Sequence, residues 1–251
     1  MQRAMRAILL LFVMFISLSE AKSQVIMSLV FGDKLNTGNI EFGLDGGVNF
    51  SQIRGGADGS TKALFNIGFY FDIKTKNPNW LFYTGVLVKS TLGQAGLPVY
   101  SLDNPDLDNA FAEGEVFRKI NYFNVPIAMK YKVAEHFFLM GGIQPALRST
   151  AFDIFTANVD DNDLEYKADI RDQLHRLDFG LLGGLGYRLS KGYGMNITLR
   201  YYYGLTDIVI DDTTSDQFNT SWYVAVGIPI GVKKARARME EKAKNKEGLQ
   251  D

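Results

Sequence analysis

An all-β fold, and within it an eight-stranded antiparallel up-and-down barrel, is what the 251-residue sequence predicts, on three observations. Apolar residues recur at every second position in eight separate stretches, the period of a strand with two unlike faces. Most stretches exceed the roughly 5–6 residues common in globular strands and match the roughly 9–11 that a tilted strand needs to cross a bilayer. The connections also alternate: those after the second, fourth and sixth strands are short, those after the third, fifth and seventh are long, and the first is intermediate. Short periplasmic turns and long outer loops are the arrangement of transmembrane barrels, and an even strand number puts both termini in the periplasm.

The chain opens with Arg3 and Arg6, an apolar run over 7–18, and small residues at Ala21 and Ser23. This pattern predicts a signal peptide over 1–23, cut between Ser23 and Gln24. The run falls short of the roughly 20 residues of a helical span. No later apolar run is long enough either, so the exported chain is a soluble periplasmic protein or a β-barrel. Residues 24–38 form a periplasmic lead-in, which the pattern leaves open between a short helix and a strand.

The barrel is expected over 39–232. In its first strand Ile40, Phe42, Leu44, Val48 and Phe50 oppose Glu41, Gly43, Asp45, Gly47, Asn49 and Ser51. A Gly-rich loop leads to the second, where Phe65, Ile67, Phe69 and Phe71 oppose Asn66, Gly68, Tyr70 and Asp72. After a turn at Asn77-Pro78, the third strand sets Phe82, Val86 and Val88 outward and Tyr83, Gly85 and Lys89 inward. The acidic stretch 92–115 reads as a solvated loop. The fourth strand (120–133) sets Phe123, Val125, Ile127, Met129 and Tyr131 against Tyr122, Asn124, Ala128, Lys130 and Lys132. The fifth alternates Phe137, Leu139, Ile143 and Leu147 with Met140, Gly142, Gln144 and Arg148. A second acidic loop spans 149–175, and a hairpin follows. Its first arm sets Leu177, Phe179, Leu181, Leu185 and Tyr187 against Asp178, Gly180, Gly184, Gly186 and Arg188; its second sets Ile197, Leu199, Tyr201 and Tyr203 against Asn196, Thr198, Arg200 and Tyr202. A third acidic loop over 210–220 precedes the eighth strand, with Trp222, Val224, Val226 and Ile228 on one face. Pro126, Pro145 and Pro229 fall within these strands. Each removes a ladder donor, so bulges or near-terminal positions are expected there.

Period alone does not say which face is wet, because a lipocalin-like barrel buries its apolar face. Two features favour the membrane. The polar face is crowded with Gly, as a narrow lumen requires, and aromatics gather near strand ends (Phe71, Trp80, Phe82, Phe137, Tyr203, Trp222), where interfacial belts form. The final 233–251 change character to alternating charges with alanine. They predict a solvated periplasmic tail, with a contact to peptidoglycan or a partner protein as the functional alternative.

A formal net charge of -1 gives no reason to expect a nucleic-acid partner, and the absence of Cys removes disulfides, a thiol nucleophile and a lipid-bearing cysteine. The candidate functional set is the inward charges: Glu41, Asp45, Asp72, Lys89, Lys130, Lys132, Arg148, Asp178, Arg188 and Arg200. Eight strands leave an interior barely wide enough for side chains, so these charges must be paired or wet. A closed plug is expected, with a narrow ion path as the alternative. Catalysis would need a base, and His136 and His175 are the two histidines; His175 could lie near Ser149 and Asp178, but nothing local marks a nucleophile. Asp161, Asp163 and Glu165 alternate as Ca²⁺ ligands often do, without the Gly-containing loop. No cofactor is expected.

The segments FGDKLNTGNIEFGLDGGVNFS, INYFNVPIAMKYKV, FFLMGGIQPALRS, RLDFGLLGGLGYRLSKG and LRYYYGLTDI, which together sample nearly all the mature chain, resemble the PorT-type outer-membrane β-barrel family of gram-negative bacteria. The resemblance implies a barrel in the cell outer membrane. Its members recur with the Val-Pro-Ile strand found here at Val125 to Ile127, and the member that names it is linked to secretion. Small barrels usually end on an aromatic residue that the assembly machinery reads; here the last strand ends near Val232 and a charged tail follows. The expected function is therefore that of a non-enzymatic outer-membrane barrel with a filled lumen. Its partners would be membrane lipid, an unidentified protein or ligand at the external loops, and a periplasmic contact at the tail. The alternatives are a soluble lipocalin-like barrel and a narrow porin or secretion-accessory barrel.

Overall fold

The computed structural model describes residues 35–37, 39–159, 162–189, 194–211 and 215–231. The expected signal peptide with its expected Ser23–Gln24 cleavage site, nearly all of the expected lead-in and the charged tail lie outside the described residues. The strands are β1 (Ile40–Arg54), β2 (Lys62–Lys74), β3 (Trp80–Leu97), β4 (Glu115–Asn124), β5 (Ile127–Lys132), β6 (Phe137–Val159), β7 (Asn162–Asp169), β8 (Leu177–Arg188), β9 (Asn196–Gly204) and β10 (Phe218–Pro229), with one short helix, α1 (Pro105–Ala110). Every pairing is antiparallel, and β10 returns to β1, closing the ring.

Ten strands make eight walls. β4 and β5 are two halves of one wall, since Asn124 faces Ala146 and Ile127 faces Ile143, an uninterrupted register against β6. The break between them is Val125-Pro126. Pro145 sits opposite it and accepts from Val125 N–H at 2.9 Å. In an extended strand a residue's donor and acceptor point the same way, so the donor that Pro145 lacks would also have pointed into the break. Pro229 ends β10. The remaining extra strand, β7, pairs only with the far end of β6.

The faces follow the predicted alternation through most of the wall. Phe65, Phe123, Leu147, Leu177, Leu181, Leu185 and Val224 are exposed on the outside, Leu177 at 66%, whereas Asp45, Asn66, Asp72, Arg200 and Tyr202 are buried inside, Tyr202 fully. A soluble barrel would show the reverse, because water would wet the polar face and the apolar one would be buried. An apolar band of this extent around a closed polar core is the surface of a protein solvated by lipid. Aromatic contacts mark both ends of the band. Trp80 meets Tyr131 at 4.8 Å and Phe137 meets Tyr187 at 4.8 Å beside the short turns, and Tyr201 meets Trp222 at 4.6 Å toward the loop end.

Inward glycines make room for rings. A Cβ on Gly43 would stand 2.4 Å from Tyr70 Cε1, and one on Gly186 would stand 2.2 Å from Phe138 Cζ. The absent side chain is what lets the aromatic lie across the neighbouring strand.

Two stretches expected to be solvated loops are largely structured. β3 runs on to Leu97, β4 begins at Glu115, and β6 continues to Val159 before turning into β7. The chain between β3 and β4 folds over this extension as α1, capped by Asn104, whose side chain accepts from Asp106 N and Leu107 N. Phe111, Val116 and Phe155 are buried together there, with Leu97, Leu102 and Leu107 packed against them. Acidic composition disguised a wall whose inner face buries Val116 and Phe155.

Candidate functional site

The lumen is crossed by three ion pairs, each joining strands on different walls. Asp45 of β1 accepts two bonds from Arg200 of β9, at 2.7 and 3.0 Å. Tyr83 of β3 completes this group, its hydroxyl donating to Asp45 at 2.8 Å and accepting from Arg200 at 2.8 Å. Asp72 of β2 pairs with Lys130 of β5 at 2.8 Å, and the Lys130 ammonium lies 4.2 Å from the centre of the Tyr83 ring. Glu41 of β1 pairs with Arg188 of β8 and accepts from the Tyr70 hydroxyl at 3.0 Å.

Alternation is what brings these groups together. Glu41 and Asp45 are four residues apart on one strand and so share a face, and Gly43 between them admits the Tyr70 ring. Removing such charges from water costs several kcal/mol each, an expense that only close pairing and extra hydrogen bonds offset. The space left beside the Asp45, Lys130 and Arg200 side chains is about 10 Å³, at the lower limit for a single water.

Six of the ten expected lumen charges form these pairs; the other four differ. Asp178 is buried on the inner face, where it accepts from Asn219 Nδ2 at 2.9 Å and makes no ion pair among the described residues. Asn219 also donates to the Tyr122 hydroxyl at 3.0 Å. Lys132 keeps the inward phase but is exposed at the mouth beside the short turns. Arg148 stands at the loop-end rim, donating to the carbonyls of Leu174 and His175.

Lys89, expected inside, is exposed on the outer face beside Ile67. Around Val88, β3 carries one extra residue relative to both neighbours, between Val86 and Lys89 against β2 and between Leu87 and Ser90 against β4. A one-residue bulge inverts the phase of everything beyond it. Inward positions are Tyr83, Gly85 and Leu87 before the bulge, and Ser90, Leu92 and Gln94 after it.

A second Arg–Asp–Tyr group lies beyond the membrane wall. Arg118 of β4 holds Asp153 of β6 through two bonds at 2.7 and 2.9 Å, and Tyr100 donates to the same carboxylate at 3.0 Å. Burial first, and then the Asp153 charge, push the Tyr100 phenol well above its ordinary value. These side chains border a cavity of about 200 Å³, with Gln94, Gln217 and the apolar Ile53, Leu97 and Val116. Sequence reasoning missed the group for two reasons. The expected fourth strand begins at Ile120, whereas Val116 and Arg118 continue its inward phase. In β6 an extra residue at Ser149 inverts the phase, so Ala151, Asp153 and Phe155 turn inward where the fifth strand was expected to have ended.

The remaining candidates are not joined to one another by any hydrogen bond among the described residues. His136 sits at a short turn with its ring 5.6 Å from Tyr187. His175 is exposed while Asp178 is buried, and the Ser149 hydroxyl donates to the Asn121 carbonyl. Asp161 lies outside the described residues; Asp163 accepts from Asn158 at 3.1 Å, and Glu165 pairs with Lys167 at 2.8 Å. No group of acidic and histidine side chains suited to a metal occurs among the described residues.

A closed antiparallel ring, polar within and apolar without, with short turns at one end and tall strands at the other, is an integral β-barrel membrane protein. The chain matches the outer membrane protein beta-barrel domain over residues 24–209 and belongs to that family; the protein is placed in the outer membrane. No curated protein matches the chain. Among solved structures it is similar to the attachment invasion locus protein Ail of Yersinia pestis, at 11% identity over 78% of this chain and 100% of that one, with a TM-score of 0.41. It is also similar to Neisserial surface protein A (8% identity, 75% and 96% covered, TM-score 0.38) and to the toluene transporter TodX of Pseudomonas putida (10%, 74% and 54%, TM-score 0.30).

Proposed function

We propose that this outer-membrane barrel is non-enzymatic, closed to ions through its membrane segment, and committed to binding a protein or small ligand at its loop end. The observation that carries the closure is the stack of three ion pairs across the lumen, with a pocket of only about 10 Å³ beside Asp45, Lys130 and Arg200. An ion path would need continuous water, and the walls are instead cross-linked through the lumen. Purified protein in planar bilayers is expected to show no conductance steps; well-resolved steps from folded wild-type protein would overturn the reading.

The loop end offers what the lumen lacks. Its cavity of about 200 Å³ combines apolar walls with the Arg118, Asp153 and Gln217 side chains, the mixture that small-ligand sites use. That no hydrogen bond joins His175, Ser149 and Asp178 among the described residues favours a role without catalysis, and unchanged lipid A after overexpression is the expected readout. The finer PorT-type assignment rests on the segments quoted above, of which the Val125-Pro126-Ile127 break opposite Pro145 is the most distinctive. The 233–251 stretch is read as a solvated periplasmic tail, with a contact to peptidoglycan or a partner protein as the alternative.

A further inference from the structure

A second feature of the loop end faces the membrane and not the lumen. Arg148, Arg171, Asp172 and Arg176 line an open surface cavity of about 560 Å³, together with the outward-facing Phe123 and Leu147. The three arginines are not equivalent. Arg171 is matched by Asp169 at 2.7–3.0 Å. Arg148 makes hydrogen bonds only to the neutral carbonyls of Leu174 and His175, with the Asp169 charge near enough to feel it, and Arg176 makes no side-chain ion pair or hydrogen bond among the described residues. Even with Asp172 in the lining, cationic charge is left over.

Directly beside this charge runs an apolar row. Phe123 of β4, Leu147 of β6 and Leu177 of β8 are register partners across three adjacent strands, and they are exposed at 38%, 38% and 66%. The surface is therefore cationic on the loop side and hydrocarbon on the membrane side, divided where lipid head groups lie. Guanidinium groups match phosphate oxygens in a planar fork, and a phosphate carries enough charge to engage two of them.

We propose that Arg148 and Arg176, with Arg171 at the edge, bind the phosphate head group of an outer-leaflet lipid whose acyl chains lie along Phe123, Leu147 and Leu177. The occupant is an anionic amphiphile and not a free anion, because half of the surface is useful only to hydrocarbon.

The test uses the full mature chain folded in zwitterionic detergent, with bound lipid counted by native mass spectrometry. Diphosphoryl lipid A is expected to be retained, and the same lipid stripped of its phosphates is expected to be lost. Arg176→Gln disturbs no hydrogen bond of the described residues, so its fold should be intact by heat-modifiable gel mobility. It is expected to weaken retention about tenfold, the scale of one charge-assisted contact. Arg148→Gln with Arg176→Gln should weaken it further. Equal retention by the variants, equal retention of the dephosphorylated lipid, or displacement by inorganic phosphate at matched concentration would each overturn the proposal.

Discussion

The same three residue types are assembled twice in this barrel, and the two copies serve different surroundings. In the membrane wall, Arg200, Asp45 and Tyr83 are closed in on every side, with the ion-pair side chains 3% and 5% exposed. Above it, Arg118, Asp153 and Tyr100 form the matching group, but the Arg118 side chain is 15% exposed, reaches Gln217 at 3.4 Å and borders an open cavity. The first group fills space and the second leaves some. An ion pair with no room beside it acts as a strut; one at the wall of a cavity can also meet a ligand.

The sharpest way to break this contrast is to remove one partner from each group. Asp45→Asn leaves the Arg200 charge uncompensated in a closed interior and is expected to cost about 3–5 kcal/mol. Denaturant unfolding of the vesicle-inserted barrel, followed by tryptophan fluorescence, measures it. Asp153→Asn strands Arg118 beside a cavity that water can enter, so the loss should be about 1.5–3 kcal/mol, the value of charge-assisted hydrogen bonds. Equal losses would remove the distinction between strut and site. The smallest change is expected from Lys89→Gln, within about 0.5 kcal/mol, since its side chain lies outside the lumen. A Lys89→Gln loss as large as that of Lys130→Gln would put Lys89 back inside and deny the bulge in β3.

Much of the lower wall was legible because each strand there keeps one phase. Glu41, Asp45, Asp72, Lys130, Arg188 and Arg200 were all named from alternation, and all six pair across the lumen. Which cation meets which carboxylate was not legible. Asp72 pairs with a residue 58 positions away and Asp45 with one 155 positions away, distances set by ring closure and strand stagger. The upper wall resisted reading for a local reason. The bulges at 87–90 and at Ser149 each add one residue, and a pattern of period two carries no memory of its phase across such a step.

Sequence by itself determined that this chain makes strands, about eight of them, with an apolar face toward lipid and a polar face toward a narrow interior, because side-chain direction alternates with every residue. Tertiary structure alone decided that the interior is closed by particular pairs, that Lys89 lies outside and Asp153 inside, and that three arginines meet an apolar row at the membrane's edge. Pairing, register and bulge position depend on the neighbouring strand, and no strand carries its neighbour in its own sequence.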